Sequence, residues 1–411
     1  MSKEAKLPHE LLDGILGHLY ADRDIPSLAT CALAHRSLYY ISQALLFRDI
    51  LVEDVNTAVC LGHALRDYPH LRAYVHVLRF VETFDGPWVW EKEVLAGILD
   101  RAQRVEELHI HATYPKITKL NRETHTAFIE ATARPSLRSV TIGLTIISPH
   151  STASLALPPQ LRDLRLSWTL PDSWEGQHIQ QPAGLASLTV FLKGTDFLRF
   201  FTNEKCLLTD SRLRSLRLNV YIVSQRDRAE AWHSRVAAFN MVSRCADSLQ
   251  SLELGCRMEV RALFPGMKEK AISLPQLRLL ALRDVDLLLR GADQRTALST
   301  LLALIFTIAP NVTHVAIHFD PQLRLVTSAS ILAQLADLLD GEHAPRALRS
   351  VKVLVLNAGS AVYSCLERPQ GLVKALSMKK VDIEIEPSKP RSVGEVHPPL
   401  LPLSLIDEAE Y

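Results

Sequence analysis

Apolar residues recur along the chain in one short pattern, apolar-x-x-apolar-x-apolar. The second half of each copy alternates apolar and polar positions, as a half-buried strand does. The copies are "VHVLRF" (75–80), "VEELHI" (105–110), "LRSVTI" (137–142), "LRDLRL" (161–166) and "LASLTV" (185–190). They continue as "LRSLRL" (213–218), "LQSLEL" (249–254), "LRLLAL" (277–282), "VTHVAI" (312–317) and "LRSVKV" (348–353). Start-to-start spacings are 30, 32, 24, 24, 28, 36, 28, 35 and 36 residues, and "VDIEIE" at 381–386 reads as an eleventh strand. Self-similarity at such a period predicts stacked units, each burying its apolar face against its neighbours.

Helical patterns fall in several intervals. In "RDRAEAWHSRVAAFNMVSRCA", Ala229, Trp232, Val236, Phe239 and Val242 share one face. In "SASILAQLADLLDGEH", Ile331, Leu332, Leu335, Leu338 and Leu339 do the same, with Gly341 as the C-terminal stop. "ALSTLLALIFTIA" at 297–309 reads as a buried helix, too short and too interrupted by Ser and Thr to span a bilayer. The predicted fold class is α/β. Strand–helix units of 24–36 residues resemble leucine-rich repeats in a degenerate form, irregular in length and mostly lacking the asparagine or cysteine that usually follows the strand. The resemblance implies a solenoid, a curved parallel sheet with helices on its convex side.

The N-terminal segment has a different pattern. In "LPHELLDGILGHLY", Pro8 suits a first helical turn and Glu10 lies near the positive end of the helix dipole. Leu11, Leu12, Ile15, Leu16 and Leu19 cover about 140° of the helical wheel. "IPSLATCALAHRSLYYISQALLF" follows as a second helical segment, with Leu28, Cys31, Ala32, Leu38, Ile41 and Leu45 as its apolar positions. A unit of about 45 residues cannot bury so much apolar surface alone, which implies a partner.

"LPHELLDGILGHL" resembles the opening of an F-box, Leu-Pro-x-Glu-Leu/Ile-Leu-x-x-Ile-Leu-x-x-Leu. "CALAHRSL" stands where the family often has a Val-Cys-Arg-x-Trp-like string, and "LLFRDI" where the box closes. Ala34 and His35 replace the usual Val and Cys, and Leu38 the usual Trp. The layout is similar to that of fungal F-box-like proteins with irregular leucine-rich strands. The resemblance implies docking on a Skp-family adaptor and, through it, on a cullin-based ubiquitin ligase. Matched positions assign adaptor contacts to Leu7, Pro8, Leu11, Leu12, Ile15 and Leu16, with Leu28 and Leu38 added from the second half.

Four regions follow: an F-box-like helical domain (7–50), a helical joint (51–70) read from "DVNTAVCLGHALRDYPHL", the repeat region (71–386) and a proline-rich tail (387–411), expected to be flexible.

Composition narrows the chemistry. Leucine is abundant (68 of 411 residues) and glycine sparse (16), and a formal charge of +1 gives no electrostatic case for nucleic acid. The six cysteines form no C-x-x-C pair, so free thiols in a reducing compartment are expected. "MSKEAK" offers no hydrophobic signal segment, and a cytoplasmic or nuclear protein without a membrane segment is the expectation.

Between the apolar strand positions lie side chains predicted to face the concave surface. They are Glu107, His109 and His111; Asp163, Arg165 and Ser167; Arg217 and Asn219; and Glu253, Arg283, His314, His318 and Lys352. Among them, His109, His111, Arg165, Arg217, Asn219, Arg283, His314, His318 and Lys352 are the substrate-facing candidates, on a mixed polar surface suited to a protein segment. His109 and His111 point the same way about 6.6 Å apart on a strand, which would allow chelation, but no third ligand is identifiable. His314 and His318, about 13 Å apart on a strand, cannot share an ion.

No G-x-S-x-G, P-loop or G-x-G-x-x-G motif occurs, and no cofactor is expected. The leading expectation is a non-catalytic substrate receptor of a Skp/cullin/F-box-type ligase, holding an unidentified protein substrate. The alternatives are a leucine-rich-repeat scaffold with no ubiquitin link, or a hydrolase or metal enzyme using the His109/His111 face.

Overall fold

The structure, a computed structural model, describes residues 8–82, 89, 93–111, 122–144, 157–168, 183–193, 212–221, 240–255, 273–283, 297–319, 346–355 and 382–387. The chain divides into two compact units. One comprises Met1–Ser251 with Ala262–Ile272, the other Leu252–Arg261 with Ser273–Tyr411.

The first unit opens with three helices, α1 (His9–Ala21), α2 (Ile25–Ala34) and α3 (Arg36–Leu46). Pro8 stands just outside α1 with φ −55° and ψ 144°, and its carbonyl accepts from the Leu11 and Leu12 amides. Lacking an N–H, proline wastes no donor at this place. At the other end Arg23 adopts a left-handed φ of 57°, and the Asp24 amide reaches back 2.9 Å to the Leu19 carbonyl. Such left-handed closure is the usual way to satisfy the last helical carbonyls. Asp24 caps α2, its Oδ1 accepting from the Ser27 amide at 3.1 Å. The segment read as one second helix is two helices. His35 is extended (φ −154°, ψ 143°), and its Nδ1 accepts from the Ser37 amide at 3.1 Å, so it closes α2 and caps α3.

A first strand, β1 (Asp49–Val52), leads into α4 (Val55–Asp67). Asp54 caps α4 through the amides of Asn56 and Thr57 and the Thr57 hydroxyl, and the Thr57 hydroxyl chiefly holds its carboxyl below the usual aspartate range. The stretch expected as a helical joint, 51–70, begins with the last two residues of β1 and is helical over Val55–Asp67, with Pro69 opening a short 3-10 turn, Pro69–Ala73.

Six further strands complete the first unit's sheet: β2 (Val77–Val81), β3 (Glu107–His111), β4 (Ser139–Leu144), β5 (Asp163–Trp168), β6 (Ser187–Lys193) and β7 (Ser215–Tyr221). Each pairs in parallel with the next, in chain order. Parallel neighbours need crossovers, and helices α5 (Val94–Arg101) and α6 (Arg122–Thr132) occupy two of them. Helix α5 packs between α4 and α6 and buries Leu95, Ile98 and Leu99.

The repeated apolar positions are the core. Register places Phe80, Ile110, Ile142, Leu166, Val190 and Leu218 in one row, and Leu78, Leu108, Val140, Leu164, Leu188 and Leu216 in another. All twelve are at most 2% exposed. The leading residue of each copy, Val75, Val105, Leu137, Leu161, Leu185 or Leu213, sits buried in the turn before its strand. The turns share one device: a carbonyl preceding one strand accepts two consecutive amides from the next unit. Arg48 accepts from His76 and Val77, His76 from Glu106 and Glu107, and Arg138 from Arg162 and Asp163. Ala186 accepts from Arg214 and Ser215, and Arg214 from Gln250 and Ser251. A small polar residue beside the leading Leu ties the turns further, as where the Ser136 hydroxyl donates to the Val105 carbonyl (2.8 Å) and Ser248 to that of Leu213 (2.7 Å).

At the division of the units lies β8 (Ser251–Gly255). The second unit contains β9 (Leu279–Arg283), α7 (Ala297–Ile308), β10 (His314–Phe319), β11 (Ser350–Val355) and β12 (Asp382–Pro387). Strands β9 to β12 pair in parallel and in chain order, so the sequence's eleventh strand is present as β12. Helix α7 buries Leu302, Ile305 and Phe306, as its continuous apolar run predicts. The helix expected over "SASILAQLADLLDGEH", most of that expected over "RDRAEAWHSRVAAFNMVSRCA" and the tail beyond Pro387 lie outside the described residues.

Candidate interaction surfaces

Two surfaces collect the residues singled out by sequence. The first is on the N-terminal helices, where the interior is filled by Leu16 (1% exposed) and Leu28 (0%). These two residues, assigned as contacts by motif position, therefore have no surface to offer. Leu12 and Leu38 are half-buried, Pro8 is exposed, and Leu7 lies outside the described residues. Leu11 (53%) and Ile15 (54%) stand outward, one turn apart. Three further exposed apolar side chains escaped the sequence reading: Ile25 and Leu33 on α2, and Tyr40 on α3. Leu33, at 87%, is the most exposed large apolar side chain among the described residues. Its helix is apolar nearly all round, so periodicity gave no inner face to subtract from. A Cβ placed at Gly14 or Gly17 of α1 would meet nothing within 4 Å, so neither glycine is demanded by internal packing.

The second surface is the polar face of the sheet. In the first unit one register row runs Leu51, Arg79, His109, Thr141, Arg165, Thr189, Arg217. The row two residues earlier runs Asp49, Val77, Glu107, Ser139, Asp163, Ser187, Ser215. Acids thus lie beside bases, and they pair. Arg79 reaches Asp49 at 2.9 Å, and His109 lies 3.4 Å from Glu107 and 2.9 Å from the Thr141 hydroxyl. The His109 hydrogen bond holds the Glu107 carboxyl below its usual range, against the opposing effect of burial. Burial pushes Asp163 up, and the charge of Arg165 only partly offsets this. His111 is half-buried beside Gly143, where a Cβ would come within 3.1 Å of the imidazole, so a glycine leaves it room.

The open face expected from alternation does not extend to every candidate. Arg217 (7%), His318 (5%) and Lys352 (6%) are buried, as is Glu253 (7%). Alternation fixes which side of a strand a residue takes, and what covers that side is decided by other parts of the chain. Arg165 and His314 are half-buried. Asn219 lies within β7 and Arg283 ends β9, their side chains outside the described residues. Among the described residues no group of three or more His, Cys, Asp or Glu side chains could hold a metal ion. Nor is any described helix long and apolar enough to cross a membrane.

These features define an α/β protein of parallel strands preceded by a helical segment with an unusually apolar exterior. No protein-family model matches the chain, and no curated protein matches it in sequence.

Proposed function

We propose that the protein is a substrate receptor of a Skp/cullin/F-box-type ubiquitin ligase, its N-terminal helices docking on a Skp-family adaptor and its leucine-rich-repeat-like strand region holding a protein substrate. The observation that carries this reading is the outward position of Leu11 and Ile15 on a helix whose inward positions are already filled. These residues fall at motif positions that the F-box resemblance assigns to adaptor contact, and Ile25 and Leu33 on α2 are exposed apolar side chains as well. Such a surface suits a helix-in-groove contact. The receptor itself performs no bond chemistry. It acts by proximity, raising the effective concentration of substrate lysines near the charged ubiquitin carrier.

Co-purification with a Skp-family adaptor tests the reading. The full chain should retain adaptor, and the Leu11→Asp/Ile15→Asp variant should lose it while remaining folded. A folded wild-type chain that retains no adaptor leaves the repeat scaffold without a ubiquitin link as the surviving alternative.

A further inference from the structure

From β1 to β7, the residue just before each strand offers its carbonyl to two amides of the next unit and so occupies an equivalent place in each. In the first unit these residues are Arg48, His76, Glu106, Arg138, Arg162, Ala186 and Arg214. The four arginines are all exposed, with the Arg138 side chain at 61%. Strand spacing sets neighbouring positions about 4.8 Å apart, so Arg138 and Arg162 are adjacent and Arg214 follows two strands on. Arg104 and Arg212, each one residue before a leading Val or Leu, add two more exposed guanidiniums to this rim. In the second unit the Arg278 carbonyl accepts from Thr313 and His314 and that of Thr313 from Arg349 and Ser350. Arg278 and Arg349, which also stands just before its strand, are both exposed. A whole-chain charge of +1 conceals this concentration.

The rim's acids do not cancel it. Glu106 is already engaged, 3.1 Å from His76 and 3.9 Å from Arg138, and Asp247 is the other carboxylate in these turns. Every cation named on the rim is arginine, none lysine. Arginine presents a planar fork matched to carboxylates and is more weakly hydrated than an ammonium, so it is favoured at interfaces.

We infer that the N-terminal rim of the first unit's sheet is a docking ledge for an acidic segment of a partner protein, laid across the strands so that its carboxylates meet Arg138, Arg162 and Arg214. The inference rests on the reading that the strand region captures a protein and is independent of the adaptor. It places capture at the rim, since on the polar face Arg79 already pairs with Asp49 and His109 with Glu107.

The test is fluorescence anisotropy of a labelled twelve-residue oligoglutamate peptide titrated with the full chain. A Gly-Ser peptide, a single-stranded oligonucleotide and phosphatidylserine vesicles serve as comparison probes. Oligoglutamate should bind, weaken with added salt, and lose about tenfold or more in affinity in the triple variant Arg138→Glu/Arg162→Glu/Arg214→Glu. A variant of equal net charge away from the rim, Arg23→Glu in the α1–α2 turn with Arg36→Glu on α3 and Arg66→Glu on α4, should bind as the wild type does. Circular dichroism melts establish that both variants fold. Absence of oligoglutamate binding, equal loss in both variants, or tighter binding of the oligonucleotide or vesicles overturns the inference. None of these outcomes involves the adaptor, so this experiment and the co-purification fail separately.

Discussion

Single residues carry three consequences that measurement can reach. Arg23 holds a φ of 57°, a region costing an L-residue roughly 1 kcal/mol and glycine almost nothing. Arg23→Gly should therefore raise stability by about 0.5–1 kcal/mol in urea unfolding, and a loss of stability would show that the arginine side chain contributes more than its backbone costs. Asp163 is the opposite kind of site. Burial raises its folded pKa above the ordinary 3.8, so its charge opposes folding at neutral pH, and the penalty vanishes below that value, where both states are protonated. Asp163→Asn should stabilise at pH 7 and lose its advantage as the pH falls through the aspartate range. Among the cysteines, burial pushes the Cys245 thiol up to about 12, whereas Cys60 lies exposed on α4. Iodoacetamide at pH 8 should label Cys60 in the native protein and Cys245 only after unfolding. Native labelling of Cys245 would contradict its complete burial.

At the scale of elements, the apolar repeat positions of the first unit are interchangeable parts of its core, and replacing any of them should look alike. Leu164→Ala on β5 and Leu28→Ala on α2 each remove a fully buried side chain and should cost about 2–5 kcal/mol. Leu33→Ala, on the same helix as Leu28, should leave stability within about 0.5 kcal/mol because its side chain is already in water. Unfolding curves of this pair read the sidedness of α2 directly. The strands were legible because apolar positions two apart mark a core-facing side, and from β2 to β7 both apolar positions of each strand fell where alternation placed them. The break at His35 was not legible. A histidine serving as both end and cap carries no pattern of its own, and the run from Ile25 to Phe47 is apolar enough to continue as one helix.

At the scale of the molecule, patterning gave the α/β class and the parallel order of strands, because short apolar strands separated by crossovers allow little else. It did less well for surfaces. Motif position assigned Leu16 and Leu28 to a contact, yet both are interior, and alternation assigned Arg217, His318 and Lys352 to an open face on which they are buried. In each case the sequence specified a side and could not specify what lay against it. The exposed apolar side chains of the three N-terminal helices are Leu11, Ile15, Ile25, Leu33 and Tyr40.

The direct test of the account is calorimetric titration of a purified Skp-family adaptor into the full chain and into the Leu11→Ala/Ile15→Ala variant. Two exposed anchors that become buried on binding are worth enough that their truncation should weaken affinity about 100-fold, with the melting temperature unchanged. A folded wild-type chain that binds no adaptor, or a variant that binds as tightly as the wild type, would contradict it.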